Sequence, residues 1–507
     1  MSAPAVTYGR APAVPSSAAP VWLLLAFVVL GVAFTAAVAA GGYWPLTALV
    51  LTGVVASFVV VLRLPHVGIS LFLTTFLINY PSVARGAGPL TINNFLGVLF
   101  LVLLLWDFYL HRDAWFLKDR LLYGLLGIGA IFALGTVSAV YTLPDAHVQS
   151  MIQKPIGAVY GKTDYTTRFM FQYFSRIAFV LFVLRFIRTP RQLLWVWITL
   201  LFCIFFAVPP ALHAYVQASG TDVRALTKIV NWADNANRFA FGLLIGIGLL
   251  YYLSITTQAV WVKIAAVIGT LFLSPTILLS ASRSGFMGML LLGGMVMLGA
   301  FGGTSQMSRR ATLSGLVVAV AVALVTYFAI LPPRMQQRLL NLNPFASQPA
   351  EGSKSTEFRY ATLENSFKII ADHPVMGVGL GNFRWVHKWS YGRFKPPHNS
   401  YVWALAEGGV PLLLAFLALF YALWWRLGRL RAAYEHHDLI PCFPNLLRVY
   451  IILLLFFSAF ADVWIEEHVF LLVGATILLE YWQRNPAPAP APSAVPARAL
   501  VTAPAHP

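Results

Sequence analysis

Charge is what this sequence has least of. Asp, Glu, Lys and Arg together make up 10% of its 507 residues, against about a quarter in an ordinary soluble domain. A chain held in solution by a charged surface is excluded. Acid is scarcer than base, with 18 Asp and Glu against 35 Lys and Arg. Cysteine is nearly absent: Cys203 lies inside an apolar run and Cys442 in a short connection, a pair that fits neither a disulfide framework nor a metal site and argues against redox chemistry. Strand-like alternation is missing too. Runs such as Phe95 to Trp106 are apolar on every side, whereas membrane strands alternate polar and apolar over about ten residues, so a β-barrel is excluded.

What is present is hydrophobic length. Apolar residues make up 59% of the chain, in runs of about 17 to 22 residues that can cross a bilayer core of about 30 Å as helices. The runs fall at residues 21–40, 45–62, 66–80, 93–110, 121–141, 170–187, 192–214, 238–254, 261–279, 284–301, 312–331, 408–425, 447–463 and 467–483. The fold class expected is therefore all-α, a polytopic membrane protein of about 14 transmembrane helices. Residues 1–20, rich in Ala, Pro and Ser with no small-residue cleavage site after a short apolar core, read as a disordered N-terminal segment that is retained. Residues 21–331 hold helices 1 to 11, residues 332–407 form one large loop, 408–484 hold helices 12 to 14, and the Pro/Ala-rich tail 485–507 is expected to be extended and disordered.

An even number of spans puts both termini on one side, and the positive-inside rule chooses which. In the phase that fits, Arg185, Arg188 and Arg191, then Arg309 and Arg310, then Arg426, Arg429 and Arg431 all fall in cytoplasmic connections. Both termini are then cytoplasmic and loop 332–407 lies outside, which for a bacterial inner membrane is the periplasm. That loop carries nine Lys or Arg (Arg334, Arg338, Lys354, Arg359, Lys368, Arg384, Lys388, Arg393 and Lys395) against five Asp or Glu, base on the wrong side for topology. The excess implies lipid phosphates or an anionic ligand as partner, and no nucleic acid is expected. Arg224, Lys228, Arg238 and Arg283 stand at other outer helix mouths and would converge on the same region.

Within the loop, residues 357–371 place Tyr360, Leu363, Phe367 and Ile370 at spacings of three and four, with Glu364 and Lys368 on another face. That pattern is an amphipathic helix, suited to the membrane surface. The glycines of Asp372-His373-Pro374-Val-Met-Gly377-Val-Gly379-Leu-Gly381-Asn382-Phe383 are either turns or a cradle of amides for a phosphate; as a dinucleotide fingerprint the run fails, lacking the flanking strand and helix. Aromatic residues crowd the same loop (Trp385, Trp389, Tyr391, Phe394, Tyr401 and Trp403), as an interfacial belt or a surface on which sugars stack.

The string HPVMGVGLGNF…PPHNSYVWALAEGGVPLLLAFLALF, from His373 to Phe420, resembles the signature of the O-antigen ligase and O-antigen polymerase superfamily. There a Gly-rich turn, a His-Asn pair and a Glu-Gly pair precede a transmembrane helix. ADNANRFAFGLLIG and LLSASRSGFMGMLLL look like two further elements of that family, so the resemblance covers residues 230–425. It implies a metal-independent glycosyltransferase without cofactor, moving a glycan from an undecaprenyl-diphosphate carrier to an acceptor hydroxyl on the periplasmic face. Carried over by position, the family's two arginines are Arg283 and Arg359 and its histidine is His398. Arg238, Arg384, Lys395 and Asn399 are expected to help bind substrate, while Glu407, nine residues beyond His398 and about 180° away on a continuous helix, reads as structural.

The chemistry suits these side chains. Negative charge grows on the leaving diphosphate, which paired guanidinium groups can stabilise, and a neutral imidazole near pH 7 can take the proton of the attacking hydroxyl. The acceptor is open between a growing glycan, as in polymerisation of an exopolysaccharide, capsule or O-antigen, and lipid A core or a protein, as in ligation. The helix count favours the polymerase, with a chain-length regulator and a flippase as further expected partners. A lipid-linked oligosaccharide flippase is the reading from another class. It calls for mid-membrane charges and repeated halves, and neither is visible in the sequence.

Overall fold

Hydrocarbon offers a backbone no hydrogen-bond partners, so apolar runs of this length must close their own ladders as helices. The computed structural model describes residues 64–77, 92–111, 114–142, 165–217, 235–302, 353–392, 394–437 and 439–486, with isolated positions at 226, 328, 333 and 336. The expected spans 21–40, 45–62 and 312–331, and the terminal segments, lie outside these apart from Phe328 and the first residues of the tail. So do Arg224, Lys228, Arg309, Arg310, Arg334, Arg338 and Arg393.

The described residues form α1 (Pro65–Leu77), α2 (Ile92–His111), α3 (Arg120–Thr142), α4 (Tyr165–Phe186), α5 (Pro190–Gln217), α6 (Ala236–Thr256), α7 (Val260–Leu279), α8 (Arg283–Met297), α9 (Ser353–Asp372), α10 (Phe383–Tyr391), α11 (Ser400–Leu430), α12 (Phe443–Ser458) and α13 (Glu467–Arg484). No strand occurs among them. Parts or all of α3, α4, α5, α6, α7 and α11 are each long and apolar enough to cross a membrane, and α2, α8 and α12 contain shorter apolar helices. The protein is an all-helical, multi-pass membrane protein.

Two helices form the centre. On α6 nearly every side chain from Ala236 to Leu250 is buried, against α5, α7, α8 and α12. On α13 burial runs from Glu467 to Glu480, against α4 and α11. A helix apolar all round belongs inside a bundle. Outer helices keep large apolar side chains on the surface, among them Leu105 and Tyr109 of α2 and Trp261 and Ile268 of α7, as lipid contact requires.

The two ends of the bundle differ. At one, Arg426 near the end of α11 donates to both carboxylate oxygens of Asp119 (2.9 and 2.8 Å) and to Glu480 near the end of α13 (3.0 Å). At the other, α6, α8, α11 and α13 all begin. One boundary departs from expectation there: α11 starts at Ser400, eight residues before the expected span and inside the expected loop. The reason is a break at Gly409 (φ 67°, ψ −167°), followed by Pro411, which joins a short re-entering segment to the long apolar run.

Candidate active site

The glycine run settles its own ambiguity. Breaking α11 at Gly409 and removing the Pro411 amide leaves carbonyls on the first segment without helical partners. The turn after α9 supplies them: Val378 N–H donates to Ala406 O (2.8 Å) and Gly379 N–H to Glu407 O (3.0 Å), while Val410 N–H donates back to Pro374 O (3.0 Å). The Glu407 carboxylate, buried, accepts the amides of Gly381 (2.8 Å) and Phe383 (3.3 Å). These amides hold α11 rather than a phosphate. Gly377, Gly379 and Gly381 all have positive φ, and a Cβ on Gly377 would stand 2.5 Å from the Glu407 carbonyl carbon. Only glycine fits.

His398 sits just before this broken helix, half-buried, with φ +53°. Asn399 follows and caps α11, its Oδ1 accepting the amides of Tyr401 (3.0 Å) and Val402 (3.1 Å). Its Nδ2 donates to Ala459 O (3.2 Å). Ser400 Oγ donates to Ala461 O (2.8 Å) and accepts Val463 N–H (2.9 Å). The turn 459–466, between α12 and α13, is thus bolted to the start of α11.

The same turn holds the starts of α6 and α8. Asn237 Nδ2 donates to Phe460 O (2.7 Å) and Asn237 Oδ1 accepts from Ser282 Oγ (2.9 Å). Ser282 caps α8 by accepting Gly285 N–H (3.0 Å), which fixes Arg283 as the first residue of α8. The residue before the cap, Ala281, has φ +50°, a left-handed conformation that costs a non-glycine residue about 1–2 kcal/mol. The starts of α6, α8 and α11, far apart in sequence, are therefore brought to one end of the bundle by residues 459–466.

The electrostatics converge on His398. Burial holds its imidazole below the ordinary 6.5; the Asp462 carboxylate opposes this, and the cations Arg359, Arg384 and Lys395 push the same way as burial. The ring thus stays neutral to lower pH than a free histidine. Asp462 Oδ1 is buried and has no hydrogen-bond partner among the described residues. Arg359 stands in α9, Arg384 in the first turn of α10, and both are half-buried, while Lys395 is exposed.

Of the residues expected to form the site, His398, Arg359, Arg384 and Lys395 therefore share one electrostatic neighbourhood, and Arg283 starts a helix pinned to the same turn. Arg238 and Asn399 are differently engaged. Arg238 pairs with Glu466, and the polar atoms of Asn399 are taken up by the cap and by Ala459. The aromatics divide as well. Trp403 is buried against Phe132 and Phe416, and Tyr401 donates to Leu455 O (2.8 Å); both are core, neither belt nor sugar surface. Trp385, Trp389 and Phe394 form a separate half-buried cluster at the flank of α10.

The sequence reading missed residues 462–468. Beneath the turn, Glu466 pairs with Arg238 of α6 and its neighbour Glu467 with the buried Arg176 of α4, and His468 packs on Phe241. A signal was there: three of the 18 acids in the chain fall within six residues, Asp462, Glu466 and Glu467, where two apolar spans meet. Among the described residues, no group of three His, Cys, Asp or Glu side chains is arranged to hold a metal ion.

Residues 268–417 match the family model described as O-Antigen ligase. The matched segment contains Arg283, Arg359, His398 and Glu407, and supports placing the chain in the O-antigen ligase and polymerase superfamily. No curated protein matches the sequence.

Proposed function

We propose, from the place of residues 268–417 in the O-antigen ligase family, that this protein transfers a glycan from an undecaprenyl-diphosphate carrier to an acceptor hydroxyl at the periplasmic face of the bacterial inner membrane, and that the acceptor is a growing polysaccharide. The observation that carries the reading is the setting of His398: a half-buried imidazole kept neutral among Arg359, Arg384, Lys395 and Asp462, at the end of the bundle where the helix of Arg283 begins.

In this reading the diphosphate of the donor binds Arg283 and Arg359. The acceptor oxygen attacks the anomeric carbon while His398 takes its proton, and the bond from that carbon to the phosphate oxygen breaks. Undecaprenyl diphosphate leaves carrying the electron pair, its charge met by the guanidinium groups and by helix N-termini that present positive ends. With that charge already supplied, the transfer proceeds without a divalent ion or other cofactor. Asp462 orients the imidazole and stabilises it once protonated. Both termini lie in the cytoplasm, and the expected fourteen spans comprise eleven described helices and the three runs at 21–40, 45–62 and 312–331. A flippase that delivers donor and a regulator of chain length are the partners such a polymerase needs.

Ligation to lipid A core or to protein is the second reading, favoured by the description of the matched family; it uses the same donor and base. The test is polymer formation by purified protein supplied with a defined undecaprenyl-diphosphate oligosaccharide in EDTA. A ladder of repeat units, lost in His398→Ala and Arg359→Ala, supports the polymerase. Transfer only after lipid A core or a protein acceptor is added makes the protein a ligase. Folded protein that transfers to no acceptor overturns the enzyme reading.

A further inference from the structure

α9 has one face buried against protein and an exposed side divided into a charged flank and an apolar one. Thr362, Ser366 and Ile369 are buried, with Ile369 in a small core beside Val378 and Phe383. Glu364 and Lys368 form an exposed ion pair of 2.9 Å, and Asp372 lies exposed on the same flank. At about 100° per residue, Tyr360 and Phe367 share the flank next to Glu364 on that exposed side. Phe367 is 53% exposed and Tyr360 57%.

The turn that follows α9 runs into surface that the spans already give to lipid. After α9 the chain reaches Val375 and Met376, both exposed. Their backbone is wedged between two transmembrane helices: Gly135 of α3 is so close that a Cβ there would lie 2.8 Å from Met376 O, and one on Gly409 of α11 would lie 2.1 Å from Val375 O. Within a turn or so of Gly135 and Gly409, those helices carry exposed apolar residues, Leu134 and Val137 on α3 and Val410 and Leu414 on α11.

We propose that α9 and the turn after it are seated in the membrane itself, with Phe367 and Val375 within the hydrocarbon boundary of the leaflet on the side of His398, and the Glu364–Lys368 flank in water. A helix with separate apolar and charged flanks lies in the interface plane in this way. The consequence for the site is depth. Arg359 adjoins Tyr360 and is thereby held at the level of lipid phosphates, where a diphosphate on a membrane-anchored carrier also lies; this last step rests on the donor proposed above.

The test is independent of transfer activity. Spin labels are placed on Phe367→Cys, Val375→Cys, Asp372→Cys and Leu134→Cys in the full chain, reconstituted in phosphatidylethanolamine and phosphatidylglycerol vesicles. The two native cysteines are buried, and unlabelled parent protein serves as the control for their reactivity. Relaxation is compared for dissolved oxygen and a water-soluble nickel chelate. Expected is severalfold stronger relaxation by oxygen than by nickel at 367 and 375, as at 134, with the reverse at 372. Nickel access at 367 and 375 equal to that at 372 would overturn the proposal by placing α9 in water; access by neither reagent would overturn it by showing a protein cover. Nickel access at 134 would remove the span reading of α3 and the proposal with it, whatever the glycan assay gives.

Discussion

His398 makes the sharpest claim at the scale of single residues. Its pKa lies below 6.5, first because burial disfavours the imidazolium and then because Arg359, Arg384 and Lys395 repel it, against the pull of Asp462. In its proposed role as base His398 is therefore neutral and able to take a proton at neutral pH, and the acidic limb of kcat/KM is expected to fall below pH 6.5. Asp462→Asn removes the one opposing influence and should move that limb further down, while Arg384→Gln should move it up; a pH profile of each variant reads the sign directly. His398→Ala is expected to lose about a hundredfold or more in rate, the usual worth of a positioned general base, at unchanged thermal stability. Its position and type were legible from the His-Asn motif. Asp462 was not, because it lies sixty-four positions on in sequence and meets His398 only through the turn 459–466.

Among the elements, α11 and the Gly-rich turn fold as one unit. Each supplies what the other lacks: carbonyls freed by the break at Gly409 accept the amides of Val378 and Gly379, and the Glu407 carboxylate accepts those of Gly381 and Phe383. Glu407→Ala leaves the amides of Gly381 and Phe383 buried without partners, at a cost of about 1–3 kcal/mol each. Gly409→Ala adds a Cβ at 2.1 Å from a backbone oxygen as well as strain at positive φ. By contrast Gly392→Ala, also at positive φ but with nothing within 4 Å, costs about 1–2 kcal/mol. Thermal unfolding in detergent should therefore rank Gly409→Ala well below Gly392→Ala; equal melting temperatures would show that the contact between turn and break is dispensable. Periodicity revealed α9 and the long apolar part of α11. It was blind to the segment Ser400–Gly408, since polar residues at its start and the Gly-Gly-Pro break read as loop.

For the molecule as a whole, the end that carries the site is braced from below. Consecutive carboxylates at the start of α13 divide between two other helices, Glu466 to Arg238 of α6 and Glu467 to Arg176 of α4. Arg176 and Glu467 are both buried, so removing one partner strands the other's charge; Arg176→Ala or Glu467→Ala is expected to cost about 3–5 kcal/mol, and Arg176→Met with Glu467→Leu markedly less. A double variant no more stable than either single one would show that the pair does not act as a unit.

Composition and pattern together determined the class of this protein: with 10% charge and 59% apolar residues it belongs in a membrane, and runs apolar on every side satisfy the backbone there as helices rather than as a barrel. Run length then located eleven of the helices found among the described residues, because a bilayer imposes one length on every span. The motif pointed to Arg283, Arg359 and His398 as the residues proposed for one chemistry, though not as neighbours. Tertiary structure alone decided three things: that the glycine amides serve α11 and not a phosphate, that Asn399 caps a helix while Arg238 answers a carboxylate, and that residues 459–468 tie the starts of α6, α11 and α13 to the end of the bundle that carries His398. The physical reason is common to all three. Each depends on which buried polar group meets which across long sequence separations, and hydrophobic periodicity, which records only what faces lipid and what faces protein, carries no information about that pairing.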